Sequence, residues 1–197
     1  MARREVAPGL PSSDNCRTLS FVLVFDASTL ILLAKVDLLD IFLDDFQGTP
    51  LVPRAVQAEC MGEPVRPDGL LILERIQEGR LTVQEIRQPK ILSRLLQDFR
   101  LGLGEAEALV LAFEIGGSAV VATDDRNAIR ACKVLRIGFV SSLGILIRAV
   151  EKGLLTREEG VRALDKLSAY GRFRKTVIEE VSRQIGGTAH GESSEDG

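Results

Sequence analysis

The chain has 197 residues, of which 45% are hydrophobic and 27% charged, and carries a net charge of −3. This is the balance of an ordinary soluble globular protein with one well-filled domain. It excludes a protein that is basic all over, though not one with a local basic face. The three cysteines, Cys16, Cys60 and Cys132, are far apart and form no CxxC pair. That excludes a disulfide scaffold and a zinc ribbon, and fits small thiols in a reducing cytosol.

Residues 1–20 lack periodicity and read as a flexible lead. Arg3 and Arg4 are followed by Pro8 and Pro11 rather than by an apolar run, so no signal peptide is expected. The stretch from Leu19 to Leu43 is apolar, but Asp26, Lys35, Asp37 and Asp40 interrupt it too often for a membrane span. A cytoplasmic protein is expected.

Phe21 to Asp26 predicts the first strand, and Ser28 a cap for a helix through Lys35. Asp37 is expected to open a second short helix through Phe46, which Gly48 and Pro50 end. Leu51-Val52 is a short strand, and Pro53 suits the first turn of a helix to about Cys60. A turn-rich connection from Gly62 to Gly69 leads to helical spacing from Leu70 to Gln77. Leu81 to Val83 predicts a strand, 90–100 an amphipathic helix and Glu105 to Ile115 another helix.

Ala119 to Ala122 predicts a second strand that runs into Thr123-Asp124-Asp125, and one of the two aspartates opens a helix through Val134. Ile137 to Val140 is a last short strand, and Ser141-Ser142 caps a helix to Val150. Thr156 with Glu159 forms a capping box. A final helix is expected from Phe173 to Gln184, with a disordered tail over 186–197. This alternation predicts an α/β fold, a three-layer α/β/α sandwich around a parallel sheet. The expected organisation is a domain over 21–150 with a helical extension over 151–185 packed on it.

Two apolar strands therefore end in acid. Strands buried on both faces belong to parallel sheets, and ligand sites in open α/β sheets lie outside the carboxyl ends of such strands. Gathered carboxylates repel one another unless a proton or a cation relieves them, and a hard divalent metal is a natural relief.

Other chemistries are excluded. The sole histidine, His190, lies in the polar tail, so Ser-His-Asp and Cys-His catalysis and HExxH zinc sites are ruled out. No phosphate-binding GxxxxGK[ST] occurs, and Gly102-x-Gly104 lacks the third glycine of a dinucleotide fingerprint. Acid–base work falls to carboxylates or to water on a metal. The candidates are Asp26, Glu59, Glu105, Asp124 and Asp125. Taken singly, each has a plainer reading. Asp26, Asp124 and Asp125 are good helix caps, Glu105 suits a helix start, and Glu59 suits a solvated surface.

The set in order is more specific. Asp26-Ala27-Ser28 follows an apolar strand. Then come Pro53-x-x-Val56-x-x-Glu59, Leu101-Gly102-Leu103-Gly104-Glu105-Ala106 and Thr123-Asp124-Asp125-Arg126. This order closely resembles the PIN domain, and within it the prokaryotic subgroup related to VapC-type toxins, over about residues 21–150. The chain from Ser141 to about Val181 is similar to that subgroup's helical C-terminal portion. The resemblance implies a metal-dependent endoribonuclease with Asp26, Glu59, Glu105 and Asp125 as its acidic pocket. Asp124 would be an accessory metal ligand, and Ser28 and Thr123 would support the carboxylates. It also implies cleavage to a 5′-phosphate and a 3′-hydroxyl, a homodimer, and, for a toxin, an antitoxin protein partner. The chain departs from the commonest pattern in carrying Glu105 where many relatives have Asp. Glu107 points elsewhere on the same helix and is a poorer candidate.

Oxygen ligands suit Mg²⁺ or Mn²⁺. Arg126, Arg130 and Lys133 share a helix face starting at the acids, equally a phosphate track for RNA or a solvated face. Tyr170 and Phe173, beside Arg172 and Arg174, are candidates to stack bases, with core packing the plainer reading of Phe173. The competing reading is a non-catalytic PIN-fold binding module, against which stands the presence of all four acids. A haloacid-dehalogenase type would want Asp-x-Asp where Asp26-Ala27-Ser28 stands, and a receiver domain would want its acid pair earlier. A nuclease on structured DNA would want extra loops.

Overall fold

The computed structural model describes residues 21–62 and 66–186. In chain order the elements are β1 (Val22–Phe25), α1 (Ala27–Lys35), α2 (Leu39–Asp45), β2 (Thr49–Pro53), α3 (Arg54–Cys60), α4 (Pro67–Gln77), β3 (Thr82–Gln84), α5 (Pro89–Phe99), α6 (Leu103–Ile115), β4 (Ala119–Ala122), α7 (Arg126–Leu135), β5 (Gly138–Val140), α8 (Ser142–Glu151), α9 (Arg157–Tyr170) and α10 (Lys175–Gly186). The strands form one parallel sheet in the order β3-β2-β1-β4-β5, flanked by helices in a three-layer α/β/α sandwich.

The period of two along β1 separates the layers. Leu23 and Phe25 enter one core with Leu30 and Leu33 of α1, whereas Val22 and Val24 enter the other with Leu109 of α6 and Ala131 of α7. The chain winds from β1 outward through β2 to β3, then returns to lay β4 on the other side of β1. The helices that follow β1 and β4 therefore sit on opposite faces and leave a crevice at the two carboxyl ends, the switch point where such folds bind ligands. Phe25 pairs with Ala122, so Asp26 and Thr123 leave the sheet side by side. The Asp26 amide still donates to the Ala122 carbonyl at 3.1 Å.

The C-terminal helices share the core with α1. Ala163, Leu164 and Leu167 of α9, and Val181 and Ile185 of α10, are buried in the same cluster as Leu33 and Phe25. Two ion pairs pin this layer at its rim. Lys166 Nζ lies 2.6 Å from Asp37 and Lys152 Nζ 2.5 Å from Asp45. Thr156 and Glu159 form the predicted capping box at the start of α9.

Local boundaries differ from expectation for identifiable reasons. Asp26, not Ser28, caps α1, because its carboxylate reaches the Thr29 amide. Asp37 does not open α2. It adopts φ 63° in the turn between two helices, a left-handed conformation that Asp tolerates, and α2 begins at Leu39. Pro53 ends β2 and precedes α3 instead of forming its first turn. Helix α4 starts earlier, at Pro67, whose fixed φ suits a first helical position and which Asp68 follows in the first turn. Helix α10 starts at Lys175 rather than at Phe173. The lead over 1–20, His190, Cys16 and the tail beyond Gly186 lie outside the described residues.

Leu167 is fully buried one turn before Tyr170, at the end of α9. Leu167→Ala is expected to cost about 2–5 kcal/mol, the range for deleting a buried leucine. Urea denaturation with an unchanged m-value would check it. A loss near zero would mean that α9 is not part of the cooperative core.

Candidate active site

The site begins with Asp26. The side chain is fully buried at the carboxyl end of the central strand, where β1 gives way to α1. One oxygen, Oδ1, accepts from the Thr29 amide at 2.7 Å and from the Ser28 hydroxyl at 3.1 Å. The other, Oδ2, is buried with no hydrogen-bond partner. Burial pushes the Asp26 carboxyl up to about 6. The Thr123 and Thr29 hydroxyls and the Thr29 amide oppose that rise, and the charge of Asp124 adds to it. The opposition is partial because neither hydroxyl meets hydrogen-bond geometry at Oδ2.

Asp124 is the second member. Its Oδ2 accepts from the Thr29 hydroxyl at 3.2 Å and its Oδ1 from the Ser142 amide at 3.0 Å. Thr29 thus serves both acids, with its amide to Asp26 and its hydroxyl to Asp124. Burial again raises the Asp124 carboxyl, while the Ser142 and Thr29 donors lower it. Asp125 plays a different part. It caps α7, with Oδ1 accepting from the Ala128 amide at 2.8 Å, and its own amide donates to the buried Thr123 hydroxyl at 3.2 Å.

Glu105 and Glu59 meet at the start of α6. Glu105 Oε2 accepts from the Gly102 amide at 2.8 Å, and Glu59 Oε1 from the Gly104 amide at 2.9 Å. Burial raises the Glu105 carboxyl, the Gly102 amide lowers it, and the negative charges of Asp125 and Glu59 raise it further. Gly104 permits the Glu59 contact, since a Cβ there would lie 2.6 Å from Glu59 Oε1 and 3.1 Å from Val56 Cγ2. Glu107 is committed elsewhere, with Oε2 accepting from the Ala55 amide at 2.8 Å at the start of α3.

The acids thus converge on one end of the sheet without forming a cage. Among the described residues, no three carboxylate, imidazole or thiol side chains are arranged to hold a metal ion. Glu59, Glu105 and Asp125 each have one oxygen engaged by an amide at a helix start. Mg²⁺ needs no such cage, as it usually keeps several waters and takes one or two carboxylates plus substrate phosphates. The unpartnered Oδ2 of Asp26, beside Asp124 and among hard oxygen donors, fits an ion held in that way.

Glu105, Asp124 and Asp125 line an open cleft of about 350 Å³, whereas Asp26 and Glu59 do not. Lys35, Tyr170 and Arg172 line the same cleft. The expected cations of α7, Arg126, Arg130 and Lys133, are exposed but do not line this cleft. Thr29, Ser142 and Lys35 were not anticipated. Lys35 alone had a readable signal, since Ser28, Ile31, Leu32 and Lys35 line the cleft at the spacing of one helix face. Buried Cys60 and Cys132 offer no alternative nucleophile, because burial pushes their thiols up to about 12 and about 11, with nearby acids adding to the rise.

Asp26 supplies a pH signature. A carboxyl raised from 3.8 to about 6 on folding makes the native state bind more protons than the unfolded state between those values. Its stabilising contribution is therefore complete below the lower value and lost as pH rises through the upper one. In Asp26→Asn, stability relative to wild type should shift in the variant's favour by about 2 kcal/mol between about pH 4 and about pH 8. Denaturation in metal-free buffer across that range checks this, and a flat difference would contradict a buried, raised carboxyl.

Comparison with known proteins agrees with this architecture. A family model described as a PIN domain matches residues 22–187. No curated protein and no solved structure gives a significant match. The matched span takes in every element from β1 to α10, including both acid-ended strands and the helices that close the cleft, and the chain belongs to the PIN-domain family.

Proposed function

We propose that the chain is a metal-dependent endoribonuclease that hydrolyses RNA phosphodiester bonds with Mg²⁺ or Mn²⁺. The PIN fold is generally of nuclease type, which supports this reading. One observation carries the finer reading. A fully buried carboxyl with an unpartnered oxygen sits at the switch point of the sheet, next to a second raised carboxyl. Leaving a buried oxygen unmatched costs about 1–3 kcal/mol or more, a cost that a fold tolerates where the group has other work.

Asp26, buried behind the cleft, and Asp124, which lines it, would hold the cation, with Asp125 and Glu105 also lining the cleft. The chemistry that a divalent cation supplies when bound is polarisation of the phosphodiester and activation of the attacking water. The chain's own residues do the positioning. The Thr29 amide and the Ser28 hydroxyl hold Asp26 Oδ1, which leaves Oδ2 as the free donor. The Ser142 amide and the Thr29 hydroxyl fix both oxygens of Asp124. The Gly102 and Gly104 amides at the start of α6 hold one oxygen each of Glu105 and Glu59.

The test is cleavage of an end-labelled RNA panel by wild type and by Asp26→Asn with Mn²⁺, Mg²⁺ or EDTA. Wild type should cleave only with metal, and the variant should lose at least about a hundredfold in rate, the scale for removing a group essential to the transition state. Equal cleavage by both proteins would assign the activity to a contaminant. A folded wild type that binds metal but cleaves nothing would favour a non-catalytic binding module.

Metal binding has its own readout. Mn²⁺ should raise the Tm of wild type at about pH 7.5, and less so at about pH 5, where protons compete for Asp26. The Asp26→Asn protein should show little shift at either pH. An equal shift in both proteins would place the ion elsewhere.

A further inference from the structure

Part of the cleft lining, Lys35, Tyr170 and Arg172, has no part in the chemistry above. Tyr170 ends α9 with its side chain 62% exposed, and Lys35 Nζ lies 5.8 Å from its ring centroid. Arg172 lines the same cleft two residues later and is exposed. Among the described residues, neither Lys35 nor Arg172 takes part in an ion pair, although acids line the same cleft. A large aromatic left in solvent beside two unpaired cations has little to offer the fold. It has the makings of a stacking platform with phosphate contacts, the combination that binds single strands.

The segment is held firmly enough to present that surface. The Gly171 amide donates to the Leu167 carbonyl at 2.7 Å, and Phe173 packs on the core that includes Leu167. A Cβ on Gly171 would lie 2.2 Å from the Phe173 ring and 2.9 Å from the Leu167 carbonyl, so only glycine lets the chain turn this tightly between Tyr170 and Arg172. Lys35 reaches the cleft from the last turn of α1, the helix that Asp26 caps. Lys35 and Asp26 thereby stand at opposite ends of one helix.

We infer that Tyr170, Lys35 and Arg172 form a subsite for single-stranded RNA, in which one base stacks on Tyr170 while its flanking phosphates meet Lys35 and Arg172. This rests on the ribonuclease reading and adds the residues that would hold the strand. A stacked base has to be unpaired, so a continuous duplex would not use the subsite. The α7 cations, off this cleft, are not needed for it.

The experiment is anisotropy of a short, mixed-sequence, fluorescein-labelled RNA in EDTA, with metal-dependent cleavage read in parallel. Tyr170→Ala should weaken single-strand binding by roughly five- to a hundredfold, with Tyr170→Phe near wild type. Arg172→Ala should lower the salt dependence, reducing the slope of log K against log salt by about 0.7, whereas Tyr170→Ala leaves the slope unchanged. Wild-type binding by Tyr170→Ala would overturn the subsite, even if the protein cleaves RNA. Equal, Tyr170-dependent binding of duplex RNA would overturn it too. Tyr170-dependent binding with no cleavage under any metal would uphold the subsite and end the nuclease reading. Absence of RNA binding by the wild type would overturn the subsite whatever the cleavage assay shows.

Discussion

A carboxyl group taken wholly out of water must be given a proton, a counter-charge or enough donors to hold its charge. Asp26 receives two donors on one oxygen and none on the other, and the rest of the site is arranged around that shortfall. Thr29 spans from Asp26 to Asp124, Ser142 braces Asp124 from α8, and the parallel register of β1 with β4 brings the two loops alongside. Val24 and Phe25 beneath Asp26 are fully buried in opposite cores, so the carboxyl stands at the end of a strand with no polar side chain below it. The sheet thus maintains a carboxylate that is poorly served by the protein alone.

Much of this was legible in the sequence because the relevant patterns are short and local. Apolar runs of four or five residues ending in Asp marked β1 and β4, and with them the end of the sheet where the acids lie. Glycine and proline punctuation found most of the helices. What was not legible came from contacts far apart in the chain. The link from Thr29 to Asp124 crosses 95 positions, and the one from Gly104 to Glu59 crosses 45. No spacing rule could show that Ser142 offers its amide to Asp124, since Ser142 reads as a helix cap and the hydroxyl that fills that role is that of Ser141. The cap at Asp26 shows how two readings merge. One carboxylate starts a helix with one oxygen and keeps the other free, so treating cap and site as rivals separated roles that a single residue holds together.

The C-terminal helices show the same dependence on distance. From sequence, α9 and α10 read as an extension, yet their leucines, valine and isoleucine enter the core that lies under α1. Asp26 caps the start of α1, Lys35 ends it and Tyr170 ends α9, so the layer that shares this core also supplies part of the cleft lining.

Gly104 has a consequence of a different kind. Its backbone is ordinary helix, so the residue is there for thickness rather than for flexibility. The absence of a side chain lets α6 approach α3 until the amide captures Glu59, and a single methyl would push that carboxylate away while wedging against Val56. Gly104 works as a spacer of minimal gauge between two helices. The direction in which an acid points is decided here by an atom that the chain leaves out.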